Sequence, residues 1–207
     1  MTENERKIRA EQRERFDFAV IAGWIPPGER VLDLGCGDGR LLRYLSETRD
    51  VTGYGVEIDR ESVLRCIRNG VDVIQMDIEC GLSGFEDHSF DHVIISQALQ
   101  TMRATERILC EMLRVAGEAV VSFPNFAYLT NRVAIADGHM PVSEDLPYDW
   151  FDTPNVRFFT IADFENLCEK LGIEVRERLA FDDHGREVDQ DPNLNGSLAF
   201  YRLGRKA

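Results

Sequence analysis

The segment Val31-Leu32-Asp33-Leu34-Gly35-Cys36-Gly37-Asp38-Gly39 reads as a buried strand that runs into a turn of alternating glycines and out into a helix. Glycines at such a junction let the backbone turn tightly and come close to a ligand at the carboxyl edge of a sheet. The spacing is G-x-G-x-G, which lacks the extra residue of the G-x-G-x-x-G turn that seats a dinucleotide pyrophosphate, and no G-K-[ST] follows to make a P-loop. Asp33 and Asp38 would repel a phosphate at this place. They suit a cationic ligand.

The next strand ends in Gly55-Val56-Glu57-Ile58, an acid about 20 residues past the first glycines, where a carboxylate can accept two hydrogen bonds from a ribose diol. A third strand ends in Asp77-Ile78, whose carboxylate and following amide are placed to meet an adenine amino edge. A ribose and an adenine beside an ammonium and a sulfonium describe S-adenosylmethionine, or its product S-adenosylhomocysteine. The expected cofactor set is therefore Asp33, Gly35, Cys36, Gly37, Gly39, Glu57, Ile58, Asp77 and Ile78, with Ser96 and Gln97 at the end of the fourth strand.

The elements that must hold these residues alternate between Val/Ile/Leu-rich runs and segments of helical spacing, the pattern of βαβ units and a parallel sheet. Strands are expected at Val31–Leu34, Val51–Ile58, Val71–Ile78, Phe90–Ser96 and Ala119–Phe123. Helices are expected from Arg6 to Trp24, from Gly39 to Leu45 and from Asp59 to Gly70 with Val63, Leu64 and Ile67 inward, and from Thr105 to Arg114. Residues 127–159 lose all periodicity and carry Pro141, Pro147 and Pro154 among Tyr148, Trp150 and Phe151, which reads as a lid or binding insertion. Thr160 and Asp163 mark a capped helix that Gly172 ends. Strands at Glu174–Phe181 and Ser197–Leu203 flank an acidic loop and can pair as an antiparallel hairpin.

Composition narrows the function. The 207 residues are 43% hydrophobic and 29% charged, near the globular average, and the length prior gives a single domain. The formal charge of −13 disfavours nucleic acid and anionic membrane as partners. No apolar leader or membrane span is evident, so a cytoplasmic protein is expected. The five cysteines include no C-x-x-C pair and the four histidines are scattered, so reduced thiols and no metal site are expected.

The order of the glycine loop and the acids after it resembles the class I S-adenosylmethionine-dependent methyltransferases. More narrowly, the chain resembles the MetW family of methionine-biosynthesis proteins. That likeness rests on Ile25-Pro26-Pro27-Gly28, on Ser96 to Gln100, on Val121 to Phe126, and on Met140 to Ser143 with Leu146-Pro147-Tyr148 and Trp150 to Asn155. It implies a Rossmann-like α/β fold, with a mostly parallel seven-stranded sheet, a C-terminal antiparallel hairpin and helices on both faces. It also implies a role in methionine synthesis alongside homoserine O-acyltransferase.

The catalytic residues are not legible. Ser96-Gln97-Ala98-Leu99 stands where amino-methyltransferases carry N-P-P-[YF], which disfavours methylation of DNA or of glutamine amides. Gln97, Gln100, Asn125, Tyr128 and Tyr148 could shape an acceptor pocket, and His139 is the histidine to retain as an acid or base, but none is an evident general base. Cys36 has no histidine placed near it and is read as a packing residue. Tyr148 and Trp150 suit a partner interface at least as well as a lid. A free-standing small-molecule methyltransferase is the alternative.

Overall fold

The structure, a computed structural model, describes residues 16–206. In chain order it holds α1 (residues 16–24), β1 (Arg30–Leu34), α2 (Arg40–Arg49), β2 (Thr52–Glu57), α3 (Arg60–Arg68) and β3 (Val73–Gln75). There follow β4 (Phe90–Ser96), α4 (Thr105–Val115), β5 (Ala116–Pro124), α5 (Leu129–Ala136), α6 (Ile161–Lys170), β6 (Ile173–Phe181), α7 (Pro192–Asn195) and β7 (Leu198–Arg205). The expected start of α1 at Arg6 lies outside the described residues.

The strands form one seven-stranded sheet in the order β3-β2-β1-β4-β5-β7-β6. The first five are parallel, while β7 runs antiparallel to both β5 and β6, so the terminal hairpin is present as expected. Chain order reverses at β1, because β2 lies on one side of it and β4 on the other, and in open α/β sheets such a switch point is where ligands bind, outside the carboxyl ends of the strands. The glycine loop begins there.

Alternation along each strand feeds two cores. In β4, Val93 and Ile95 join the layer against α4 and α6, whereas Ile94 joins the layer against α1 and α2. The stripes Leu41, Leu42 and Leu45 of α2 and Ile108, Leu109, Met112 and Leu113 of α4 are buried as their spacing predicts. The start of α6 is a capping box, in which Thr160 Oγ1 accepts from the Asp163 N–H and the Asp163 carboxylate accepts from the Thr160 N–H. Thr160→Ala should lower stability by about 1 kcal/mol, read as a shifted denaturant midpoint with an unchanged slope.

Three expectations are corrected. In α3 the buried residues are Ser62 and Cys66, while Leu64 and Ile67 are exposed, because this helix packs its small side chains against the glycine loop. The third strand is only Val73–Gln75, since it pairs on one side alone as the sheet edge. The insertion is not without structure: α5 lies inside it, with Asn131 as its buried residue and Leu129, Val133 and Ile135 exposed.

Candidate functional site

The loop between β1 and α2 is built by three glycines in the left-handed region, with φ of 72° at Gly35, 57° at Gly37 and 79° at Gly39. A side chain at Gly35 would meet Ala98 Cβ at 3.2 Å, and one at Gly39 would meet Cys66 Sγ at 3.1 Å, so these two pack tightly. Gly37 differs: a Cβ there meets nothing within 4 Å, leaving its backbone open to an approaching group. From behind, α3 supports the loop. Cys66 Sγ donates to Gly37 O at 3.2 Å, and Asn69 Nδ2 donates to Asp38 O at 2.9 Å.

Two carboxylates define the electrostatics. Asp33 is 2% exposed, and no hydrogen bond reaches its carboxylate among the described residues. Burial, reinforced by the nearby charge of Glu57, pushes its carboxyl up to about 7. Glu57, by contrast, is richly served. Its Oε2 accepts from Gly37 N–H at 2.9 Å, and its Oε1 accepts from the amides of Ile58 at 2.8 Å and Asp59 at 2.9 Å. It thus ties the glycine loop to the end of β2. Asp38 pairs with Arg40 at 2.9 Å at the start of α2.

An unpartnered buried carboxylate beside a second one is costly unless a cation is placed against it. The residues present therefore fit a cationic ligand, and the open backbone at Gly37 fits its close approach. Asp77 caps a short 3₁₀ turn at Ile78–Cys80, where its Oδ1 accepts from Glu79 N–H at 2.8 Å, and Ile78 is buried beneath it. Ser96 Oγ lies 3.1 Å from Ser122 Oγ. Gln97 has φ of 50°, a left-handed turn held by its N–H donating to Ser122 O at 2.9 Å, so β4 stops abruptly at the sheet edge.

Sequence reasoning missed one residue here. Gln97 Nε2 donates to Asp17 Oδ2 at 2.5 Å, and Asp17 is 4% exposed, so α1 reaches over the end of β4. Asp17, Ile21 and Trp24 share one helix face and are all buried. An acid on an otherwise apolar stripe was the signal that marks it.

Of the residues expected around an acceptor, Gln100 contacts Gln97, and the Tyr128 N–H donates to Asn125 O at 3.2 Å. Asn125 is fully buried and its side chain is saturated: Nδ2 donates to Gly196 O at 2.7 Å and Asn193 O at 3.1 Å, and Oδ1 accepts from the Ala127 and Ile161 amides at 3.1 and 3.3 Å. It is a strut joining β5, α6 and the acidic loop, and all its side-chain hydrogen-bonding capacity is used there. Gln100 is buried too, with Nε2 donating to Gln97 O at 2.6 Å and Oε1 lacking a partner among the described residues. Tyr128 sits half-buried at the start of α5, where burial lifts its phenol above the ordinary value. His139 lies exposed just past α5, and Tyr148 and Trp150 are exposed in the insertion.

Cys36 is a poor nucleophile. Burial, with Asp33 nearby, raises its thiol far above the ordinary range, and its hydrogen-bond partner is the Cys66 thiol at 3.8 Å. No group of three or more His, Cys, Asp or Glu suited to a metal gathers among the described residues, and no helix there is long and apolar enough to cross a membrane.

Comparison with known proteins agrees with this architecture. The solved structures similar to it include an S-adenosylmethionine dependent methyltransferase from Mesorhizobium loti, with a TM-score of 0.69 and 18% identity over 92% of this chain and 98% of that one. A SAM-dependent methyltransferase from Thermotoga maritima, described as a possible histamine N-methyltransferase, gives a TM-score of 0.68 and 20% identity over 95% and 96%. Identities this low establish the methyltransferase fold alone. In sequence, the chain is 37% identical over 99% of its length to the bifunctional methionine biosynthesis protein MetXA/MetW of Rhodopirellula baltica. It spans 35% of that protein's length. Residues 15–203 match the family described as methionine biosynthesis protein MetW, and the chain belongs to that family.

Proposed function

We propose that this chain binds S-adenosylmethionine at the β1–β4 crevice and serves methionine biosynthesis in the cytoplasm in association with homoserine O-acyltransferase. The observation that carries the binding claim is Asp33, a buried carboxylate without a partner among the described residues, next to Glu57 and behind the left-handed glycines.

In this reading Asp33 and the backbone of Gly35, Cys36, Gly37 and Gly39 hold the cationic amino-acid part. Glu57 keeps one lone-pair position, on Oε2, for a ribose hydroxyl beyond the three amides it already accepts. Ile58, Asp77 and Ile78 line the adenine, and Ser96 and Gln97 close the side next to β4. When bound, the cofactor supplies a methyl group made electrophilic by its sulfonium. The chain's own residues do less toward transfer. The amides of Gln97, Gln100 and Asn125 cannot take a proton, and Tyr128 is held protonated by burial. That favours a binding role over the alternative, a free-standing small-molecule methyltransferase. Incubation with methyl-labelled cofactor and a metabolite extract tests the alternative, which requires a labelled product.

The partnership is supported by the relative whose name joins MetXA to MetW, and by the surface of the insertion. Trp150 is 72% exposed and Phe151 70% exposed, their rings edge to face at 5.7 Å. Asp149 and Asp152 flank them. Exposed aromatics grouped in this way are typical interface anchors. Sedimentation velocity of the chain mixed with homoserine O-acyltransferase should give a joint boundary. Trp150→Ala should weaken the association by about 2 kcal/mol, roughly 30-fold, and leave cofactor affinity unchanged. Separate boundaries for the unaltered proteins would refute the partnership without touching the cofactor claim.

A further inference from the structure

Many arginines of this acidic chain are matched to a carboxylate. Arg30 meets Asp91 at 3.1 Å, Arg43 meets Glu47 at 2.8 Å, Arg114 meets Asp87 at 2.7 Å, and Arg178 meets Glu165 at 2.9 Å. Arg103, Arg107 and Arg157 make no ion pair with any described residue, and all three line one groove of about 570 Å³. Among the described residues, their only polar side-chain contacts are to main-chain carbonyls: Arg107 to Glu79 O, and Arg157 to Val156 O at 3.2 Å and Arg103 O at 3.0 Å. The Arg103 guanidinium makes no hydrogen bond among the described residues.

The other wall is apolar. Phe158, Phe159, Phe164 and Leu167 line the same groove, with Phe159 and Phe164 stacked at 6.3 Å. Two acids also border it, and both are engaged. Glu106 is paired with Lys170 at 2.8 Å, and Asp163 accepts the two Thr160 hydrogen bonds that cap α6. The nearby Glu79 carboxylate accepts from the Arg103 and Ala104 amides. Three arginines therefore line a cavity of ligand size together with phenylalanine rings, with the neighbouring carboxylates already committed. Other arginines, such as Arg49 and Arg68, also lack an ion pair among the described residues, but in a protein of formal charge −13 three such arginines lining one apolar-walled cavity set this groove apart.

We propose that the groove between α4, α6 and residues 157–159 binds an organic anion with an apolar body. Its carboxylate or phosphate lies on Arg103, Arg107 and Arg157, and its hydrocarbon or aryl part lies against the phenylalanines. Guanidinium forks bind both headgroups in bidentate fashion. None of the glycine-loop residues lines this groove, so the assignment stands apart from the cofactor reading.

Calorimetric titration of the full chain with four probes tests it: octanoate, octyl phosphate, 1-octanol and inorganic phosphate. Octanoate and octyl phosphate should bind, and the tighter of the two names the headgroup. Octanol and inorganic phosphate should each be at least about tenfold weaker, because each lacks half of the recognition. Arg103→Gln should weaken the alkyl anions by about fivefold and Arg103→Gln with Arg107→Gln by about 30-fold, whereas Arg103→Lys retains most of the affinity. Should the double variant fail to fold, Arg103→Glu, whose wild-type guanidinium bonds to nothing described, gives the same readout. Octanol binding as tightly as octanoate, alkyl-anion affinity unmoved by the arginine variants, or no binding at millimolar concentrations would each overturn the proposal.

Discussion

Asp33→Asn should make the ligand-free protein more stable and at the same time remove most of its affinity for S-adenosylmethionine. Both effects follow from one burial. With its carboxyl raised from 3.8 to about 7, Asp33 keeps its proton in the fold at pH values where the unfolded chain has released it. Stability therefore falls as pH climbs from about 4 toward 7, and the full penalty, on the order of 2–4 kcal/mol, is present above 7. An amide carries no such penalty. The melting temperature of Asp33→Asn should match the parent near pH 4 and exceed it increasingly up to pH 8. Calorimetry at pH 8 should meanwhile show cofactor affinity reduced by about 100-fold or more, since the buried charge that attracts the cation is gone. A variant that is no more stable at pH 8, or that binds as the parent does, removes Asp33 from the role given to it.

Glu57→Ala is the second large effect, and it acts in the opposite sense on stability. Three amides, those of Gly37, Ile58 and Asp59, lose their acceptor at once, at 2.8–2.9 Å in the parent. Hydrogen bonds to a charged acceptor contribute about 1.5–3 kcal/mol each, partly recovered by water at this half-exposed place. The expected result is a protein destabilised by about 2–3 kcal/mol, with cofactor affinity lowered by about 10- to 100-fold. Glu57→Gln separates the two losses, because the amide oxygen still serves part of the backbone while the charge is absent. Its stability should fall between parent and Ala variant. Equal affinity in parent and Glu57→Ala would show that the carboxylate is a backbone clasp and nothing more.

Why these two acids were legible in the sequence, and other residues not, has a physical reason. A glycine loop at a strand end and an acid at the end of the next strand follow from local geometry, so spacing alone announces them. The stripes of α2 and α4 were equally local, being apolar residues on one helix face. In α3 that logic failed, because the surface it packs against is the glycine loop, where Ser62 and Cys66 fit and Leu64 and Ile67 do not. In α5 the apolar residues Leu129, Val133 and Ile135 point outward while Asn131 is held inside by Asn125 O at 3.1 Å, so hydrophobic periodicity carried no usable signal. Asn125 itself looked like a pocket residue because it follows β5 at the carboxyl edge. Its role as a strut depends on Asn193 and Gly196, far along the chain, and no local pattern encodes such a contact. The grouping of Arg103, Arg107 and Arg157 along one groove is invisible for the same reason: only the fold shows which arginines share a cavity and which have found acids.

Cofactor binding rests on the buried Asp33 carboxylate at the sheet's switch point, which has no hydrogen-bond partner among the described residues. Isothermal titration of the full chain with S-adenosylmethionine at pH 6 and pH 8 tests it most directly. Saturable binding at one site is expected, tighter at pH 8 than at pH 6, with protons released on binding at the lower pH as the cation draws Asp33 into its ionised form. No binding at millimolar cofactor at either pH, or binding that weakens as pH rises, would contradict it.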